Sequence, residues 1–242
     1  MKHILFLSFA VFISNAVHAE NNKLSPDNLI GAWQTEITNE GKAVIEEATF
    51  IDGYCSIAGY SVAAKEFYYT RGGSYTMDGN KLSVTWEFDT GNKEQVGQVN
   101  ELTIKIKDNT LVLDGKTWDK IDNGTPGKLA GAWLITGRKR DGEISRRTPG
   151  ARKTMKILSG TRFQWIAYNT ATGEFFGTGG GTYTTKDGKY TENIEFFSRD
   201  GSRVGVSLLF DYKLEDKEWH HSGLSSKGQP MYEIWTPRSM LE

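Results

Sequence analysis

The chain reads as an all-β protein made of two tandem antiparallel up-and-down barrels, and three observations predict this. Gly31-Ala32-Trp33 returns as Gly131-Ala132-Trp133, one hundred positions later. A longer block, EFYYTRGGSYTMDGNKLSVTWEF at 66–88, aligns with EFFGTGGGTYTTKDGKYTENIEF at 174–196 at an offset of 108. Between the matches, Thr, Val, Ile and aromatic residues alternate with polar ones, and no segment sustains a helical period. Short antiparallel strands must bury one face and protect their edges, and closing each set into a barrel does both.

The elements follow in order. Residues 1–19, MKHILFLSFAVFISNAVHA, combine Lys2, an apolar run from Ile4 to Ile13 and small residues around His18. This pattern predicts a secretory signal peptide cleaved after Ala19. The run is shorter than the roughly 20 apolar residues a membrane span needs. Glu20, not a Cys, stands directly after the cut, so a periplasmic or secreted protein without a lipid anchor is expected. Ser25-Pro26-x-x-Leu29-x-Gly31-Ala32-Trp33 opens the first barrel, over residues 20–124. Thr125-Pro126-x-x-Leu129-x-Gly131-Ala132-Trp133 opens the second, over 125–242. Turn signals Asp78-Gly79, Asp89-Thr90-Gly91, Asp187-Gly188 and Asp200-Gly201 recur at hairpin spacing. The step in offset from 100 to 108 places an insertion of eight residues in the second copy, partly around Arg146 to Ala151.

Composition excludes several classes. Removing Lys2 with the leader leaves one basic residue fewer than the 29 Lys and Arg of the full chain, against 30 Asp and Glu. That balance recruits neither nucleic acid nor an acidic membrane surface. The single Cys55 cannot form an internal disulfide, and its alternation with Ile57 reads as a small buried apolar group. His220 and His221 point to opposite faces of a strand and cannot readily share a metal ion, so no metal site is expected. Gly177-Thr178-Gly179-Gly180-Gly181 lacks the Lys-Ser/Thr of a phosphate loop and leads into a strand, where a bulge or close backbone approach explains it better. No catalytic constellation and no cofactor site emerge, so the protein is read as a non-enzyme.

The Gly-x-Trp strand openings, each after a short turn and followed by a meander, resemble the lipocalin and calycin barrels. The second copy, through GGGTYTTKDGKYTENIEFF, WHHSG and YEIWTPR, also resembles uncharacterised lipocalin-like domains of secreted Gram-negative bacterial proteins. The resemblance implies a barrel whose Trp plugs one end beneath an Arg of the last strand, a place Arg238 matches, and binding of a small apolar or amphipathic ligand. Two departures stand out: no C-terminal helix is apparent, and no lipocalin motif beyond Gly-x-Trp.

Comparing interiors across the repeat locates a candidate site. Leu82, Val84, Trp86 and Phe88 share a face, and at offset 108 they become Tyr190, Glu192, Ile194 and Phe196. Leu111 and Leu113 become Trp219 and His221. The second barrel is therefore expected to hold the ligand, in a cavity lined by Phe163, Trp165, Tyr183, Ile194, Phe196 and Trp219 with Glu192 and His221 as polar handles. The first barrel is expected to be drier. The other reading is that Glu192 sits at a strand end in solvent, or bonds a neighbouring hydroxyl, and carries no function. Arg138, Arg140, Arg146 and Arg147 either form a cationic rim that steers an anionic ligand or solvate a loop. Surface glycan binding, or a structural module without a cavity, is the alternative function. Inward-facing Trp165, Trp219 and Trp235 would favour the cavity, and a flat outward row the glycan surface.

Overall fold

The computed structural model describes residues 24–125, 127–225 and 228–241. The leader at 1–19 and Pro126 of the repeated opening motif lie outside these residues.

The first barrel closes from β1 (Gly31–Asn39), β2 (Lys42–Ile51), β3 (Tyr54–Ser61), β4 (Glu66–Asp78), β5 (Lys81–Asp89), β6 (Val99–Lys107), β7 (Thr110–Leu113) and β8 (Lys116–Asp122), all antiparallel, with β8 returning to β1. The second uses β9 (Gly131–Arg140), β11 (Arg152–Leu158), β12 (Arg162–Asn169), β13 (Phe175–Lys186), β14 (Lys189–Phe197), β15 (Ser207–Glu215), β16 (Glu218–Leu224) and β17 (Pro230–Pro237), closed by β17 on β9. Asp52, Asp114, Asp141 and Asp187 adopt positive φ at the tight turns, each followed by Gly.

The two Gly-Ala-Trp strands plug their barrels in the same way. Trp33 Nε1 donates to Leu29 O at 2.8 Å and Trp133 Nε1 to Leu129 O at 2.9 Å, with both carbonyls supplied by the turn that enters the strand. The cation over Trp33 is Lys120, 4.9 Å from the ring centroid. Arg238 does not repeat that arrangement in the second barrel. It lies 3.8 Å from the Tyr54 ring of the first barrel and pairs with Glu87 at 2.8 Å, because Glu87 offers a buried guanidinium a bidentate carboxylate.

The insertion in the second copy includes strand β10 (Glu143–Arg146), which hairpins onto the distal half of β9. In the first barrel β1 and β2 zip together from Gly31 to Asn39. In the second, β11 pairs only with Gly131–Leu134, and β10 takes over Gly137–Arg140. The wall beside the mouth is consequently unzipped between β9 and β11.

A matched pair of β-bulges corrects the simple alternation expected for β5 and β14. Gly73 pairs with Trp86 and Gly72 with Phe88, skipping Glu87; Gly181 pairs with Ile194 and Gly180 with Phe196, skipping Glu195. One extra residue reverses the facing of all that follows. Phe88 and Phe196 therefore leave the lumen, and Phe197 enters it. The glycines are obligatory here. A Cβ on Gly73 would stand 1.9 Å from Thr85 O, and one on Gly181, at φ +151, 2.1 Å from Asn193 O.

The displaced aromatics build the contact between the barrels, which is pseudo-twofold at the offset of 108. Tyr60 stacks on Phe196 at 4.6 Å between ring centroids, and Phe88 packs on Tyr168 at 4.9 Å. Tyr60 donates to Glu195 and Tyr168 to Glu87. Arg162, bound to Glu47, Glu195 and Tyr60, plays on one side the role of Arg238 on the other. At the centre Gln164 Nε2 donates to the equivalent hydroxyls of Thr70 and Thr178, at 2.9 and 3.0 Å. Asp52 accepts from Ala132 N of the plug of the second barrel, and Asp122 accepts from the β11–β12 turn at Ser159 and Thr161. Both plug ends thus lie together, and both mouths open towards the same side.

Candidate functional site

The mouth of the second barrel leads into a cavity of about 380 Å³. Trp165, Phe197, Ile194, Phe210, Met231 and Trp235 supply its apolar wall, and Lys156, Glu192, His221 and Glu233 lie on its inner side. Arg138, Arg152 and Arg199 also line it.

Lys156 of β11 and Glu192 of β14 form a salt bridge of 2.7 Å, with 5% and 6% of their side chains exposed. At the offset of 108 these positions are Ala48 and Val84, both within the core of the first barrel. The second barrel has thus replaced two apolar core residues by an ion pair. Desolvating two charges is costly and a buried pair is not by itself stabilising, so the substitution is a feature of the site more than of the fold. Three rings surround the ammonium: Tyr190 and Trp219 at 4.9 Å and Trp235 at 5.4 Å from Lys156 Nζ. Their π faces favour a cation taken out of water.

His221, in the place of Leu113, packs against Phe210 at 4.3 Å and Trp219 at 5.2 Å between ring centroids. Its Nδ1 stands 3.7 Å from Glu233 Oε2, too long for a hydrogen bond, and neither ring nitrogen has a hydrogen-bond partner. Burial, and then the charge of Lys156, hold the imidazole below its ordinary pKa, so it is neutral at physiological pH. Burial pushes the Glu233 carboxyl upward, but His221, Lys156 and Arg138 outweigh it and keep the group below the usual range. The indole N–H groups of Trp219 and Trp235 are likewise buried without an acceptor. Unpaired buried polar atoms cost free energy and are uncommon, and here three side chains cluster beside one cavity.

The expected site residues fall into three groups. Trp165, Glu192, Ile194 and His221 line the cavity. Phe163, Tyr183 and Trp219 lie in the packed core around it. Phe196 belongs to the contact between barrels, stacked on Tyr60, because the bulge at Glu195 turns it outward. The expected rim also divides. Arg138 lines the cavity and pairs with Glu233 at 3.3 Å. Arg140 and Arg147 border a separate cleft with Arg138 and Ser145. Arg146 leaves the rim for a bidentate contact with Glu218 at 2.7 and 2.9 Å, since β10 carries it outside the barrel.

Sequence reasoning missed Lys156, Glu233 and Arg199. Lys156 was detectable, since the offset that exposed Glu192 over Val84 also sets Lys156 over Ala48. Arg199 depends on the glycine run. A Cβ on Gly177 would lie 2.7 Å from Arg199 Nε, and one on Gly179 2.7 Å from Trp165 Nε1, so both glycines make room for cavity side chains. The expectation of a dry first barrel is also corrected. A cavity of about 460 Å³ opens at its mouth, with Glu46, Arg71 and Lys116 among its lining.

His220 faces the opposite side from His221 and meets the Tyr232 hydroxyl at 2.8 Å. Burial pushes the Cys55 thiol up to about 12, which makes it inert as a nucleophile. Among the described residues no cluster of His, Cys, Asp and Glu could hold a metal ion, and no helix is long and apolar enough to cross a membrane.

Residues 128–241 match the model of a family described as a domain of unknown function, DUF4488, a span that covers the second barrel. No curated protein matches the chain.

Proposed function

We propose that the protein is an exported, lipocalin-like carrier or sensor whose second barrel binds a small amphipathic anion. The observation that carries this reading is the composition of the mouth cavity. Its lining holds four permanent cations, Arg138, Arg152, Lys156 and Arg199, against two carboxylates, Glu192 and Glu233, while the remaining wall is largely aromatic and aliphatic. Lys156 is neutralised by Glu192, and Glu233 pairs with Arg138. Arg152 stacks over Phe176 at 4.4 Å, and Arg199 bonds the Phe176 carbonyl at 2.8 Å. Neither contact neutralises a guanidinium, so both retain charge for a carboxylate or sulfate head. The apolar body then lies along Trp165, Phe197 and Trp235.

Aromatic placement favours this reading over a surface glycan platform: Trp219 and Trp235 are buried inward and Trp165 lines the cavity. The leader at 1–19, with cleavage after Ala19, accounts for export. A binding role also fits the chemistry of the cavity acids. Glu233 is held ionised by its neighbours, and Glu192 is engaged by the Lys156 ammonium.

Native mass spectrometry of the whole mature chain, purified from the periplasm or medium of its own cells, tests this. A bound species of lipid or aromatic-acid mass that is released on unfolding is expected. A chain that remains ligand-free and also fails to take up added dodecanoate would overturn the reading.

A further inference from the structure

The first barrel has its own built site, of different chemistry. We propose that its mouth binds a neutral polyhydroxylated ligand, a saccharide of one or two rings. At the offset of 108, Tyr69 and Arg71 occupy the positions of Gly177 and Gly179, so the side chains that fill the entrance here have no counterpart in the second barrel. The cavity of about 460 Å³ is lined by Glu46, Tyr69, Arg71, Lys116 and Trp118 over an apolar floor that includes Leu102 and Leu113.

Three features point to hydroxyl groups. The Glu46 carboxylate is withdrawn from solvent, with 6% of its side chain exposed, and accepts from both the Tyr69 hydroxyl and the Lys116 ammonium. It is thus a fixed acceptor flanked by donors. The Trp118 ring is 3% exposed and its Nε1–H has no acceptor, although the residue lines the cavity. A ligand oxygen would satisfy it. Finally, lining charges nearly cancel: Glu46, Asp89 and Asp114 stand against Arg71 and Lys116. Such a wall rewards a ligand that both donates and accepts hydrogen bonds and presents C–H faces to an aromatic ring, and it gives a net ion no advantage. The site shares no residue with the cavity of the second barrel, and the proposal stands independently of that cavity's occupant.

The test is nuclear magnetic resonance of the full mature chain with ¹⁵N-labelled tryptophan. The Trp118 indole signal is identified by its loss in Trp118→Phe. Glucose, N-acetylglucosamine and maltose are titrated, with glucuronate and glucosamine as charged counterparts. The expected result is a saturable shift of the Trp118 signal with at least one neutral sugar, weaker with its charged counterparts, while Trp235 stays still. Glu46→Gln should weaken that binding by about tenfold or more, the scale of one charge-assisted hydrogen bond. Failure of every neutral sugar to move Trp118 overturns the proposal, as does an unchanged affinity in Glu46→Gln. The wild-type titration decides the first point even if the variant does not fold.

Discussion

The two barrels share a plug, a bulge and half of a common interface, yet their mouths have diverged. Where the first barrel has Ala48 and Val84 in its core, the second holds Lys156 against Glu192. Leu113 has become His221, and Tyr69 and Arg71 have given way to glycines. The interface has changed far less: Tyr60 with Phe196 and Phe88 with Tyr168 are the same pair written twice. Parts that join the copies are constrained by each other, whereas each mouth faces only solvent and whatever enters it. The difference teaches where the chain keeps its scaffold and where it keeps its chemistry.

The sharpest way to break the comparison is to convert one interior into the other. Lys156→Met should destabilise the chain by about 3–5 kcal/mol, because Glu192 is left buried without a partner. The double change Lys156→Ala with Glu192→Val, which writes the first barrel's pair into the second, should recover that loss and match or exceed wild-type stability. Urea denaturation of the three proteins checks both. A double variant as unstable as the single one would show that the pair supports the fold.

The interface offers a second test. Arg162→Met removes the cation between Glu47 and Glu195, whereas Arg238→Met strands Glu87 alone, since Met155 stands where the first barrel has Glu47. Losses of about 3–4 kcal/mol for Arg162 and about 2–3 kcal/mol for Arg238 are expected from thermal unfolding. Equal losses would deny the asymmetry. At the bulges, Gly181→Ala should cost about 2 kcal/mol through its positive φ and the close Asn193 carbonyl, and Gly73→Ala a similar amount. Indifference to alanine at either place, in the same melts, would mean that the bulge can relax.

The smallest effect concerns pH. The folded His221 pKa lies below its ordinary 6.5, so the unfolded chain binds more protons as pH falls through that value. Its contribution to stability is therefore complete above about pH 6.5 and declines as the pH drops towards the folded pKa. Glu233, also lowered, adds stability that persists above its ordinary 4.5 and is lost as pH falls through its depressed folded value. His221→Leu, which restores the residue of the first barrel, should flatten the profile just below pH 6.5. An unchanged slope in urea melts across this window would place the titration elsewhere.

Much of this architecture was legible in the sequence because repeats and alternation report directly on closed sheets. The Gly-Ala-Trp triplets located both plugs, and the offset of 108 exposed Glu192 in place of Val84. What escaped was the phase change at Glu87 and Glu195. Continuous alternation through Phe88 and Phe196 looks like one face, and only Gly72-Gly73 and Gly180-Gly181 on the partner strands mark the skipped residue. The basic run misled for a related reason. Its arginines are adjacent in sequence, but β10 carries Arg146 to Glu218 while Arg138 stays at the mouth. Arg199 arrives there from another strand end, over a glycine that leaves space for it.

The measurement closest to the central claim is a calorimetric headgroup series on the full mature chain. Dodecanoate, dodecanol and dodecyltrimethylammonium share one tail and differ in charge. Saturable 1:1 binding is predicted with dodecanoate tightest, and Arg152→Gln should weaken dodecanoate by about tenfold while leaving dodecanol nearly unchanged. Equal affinity across the three headgroups, or preference for the ammonium, would contradict an anion-selective cavity in the second barrel.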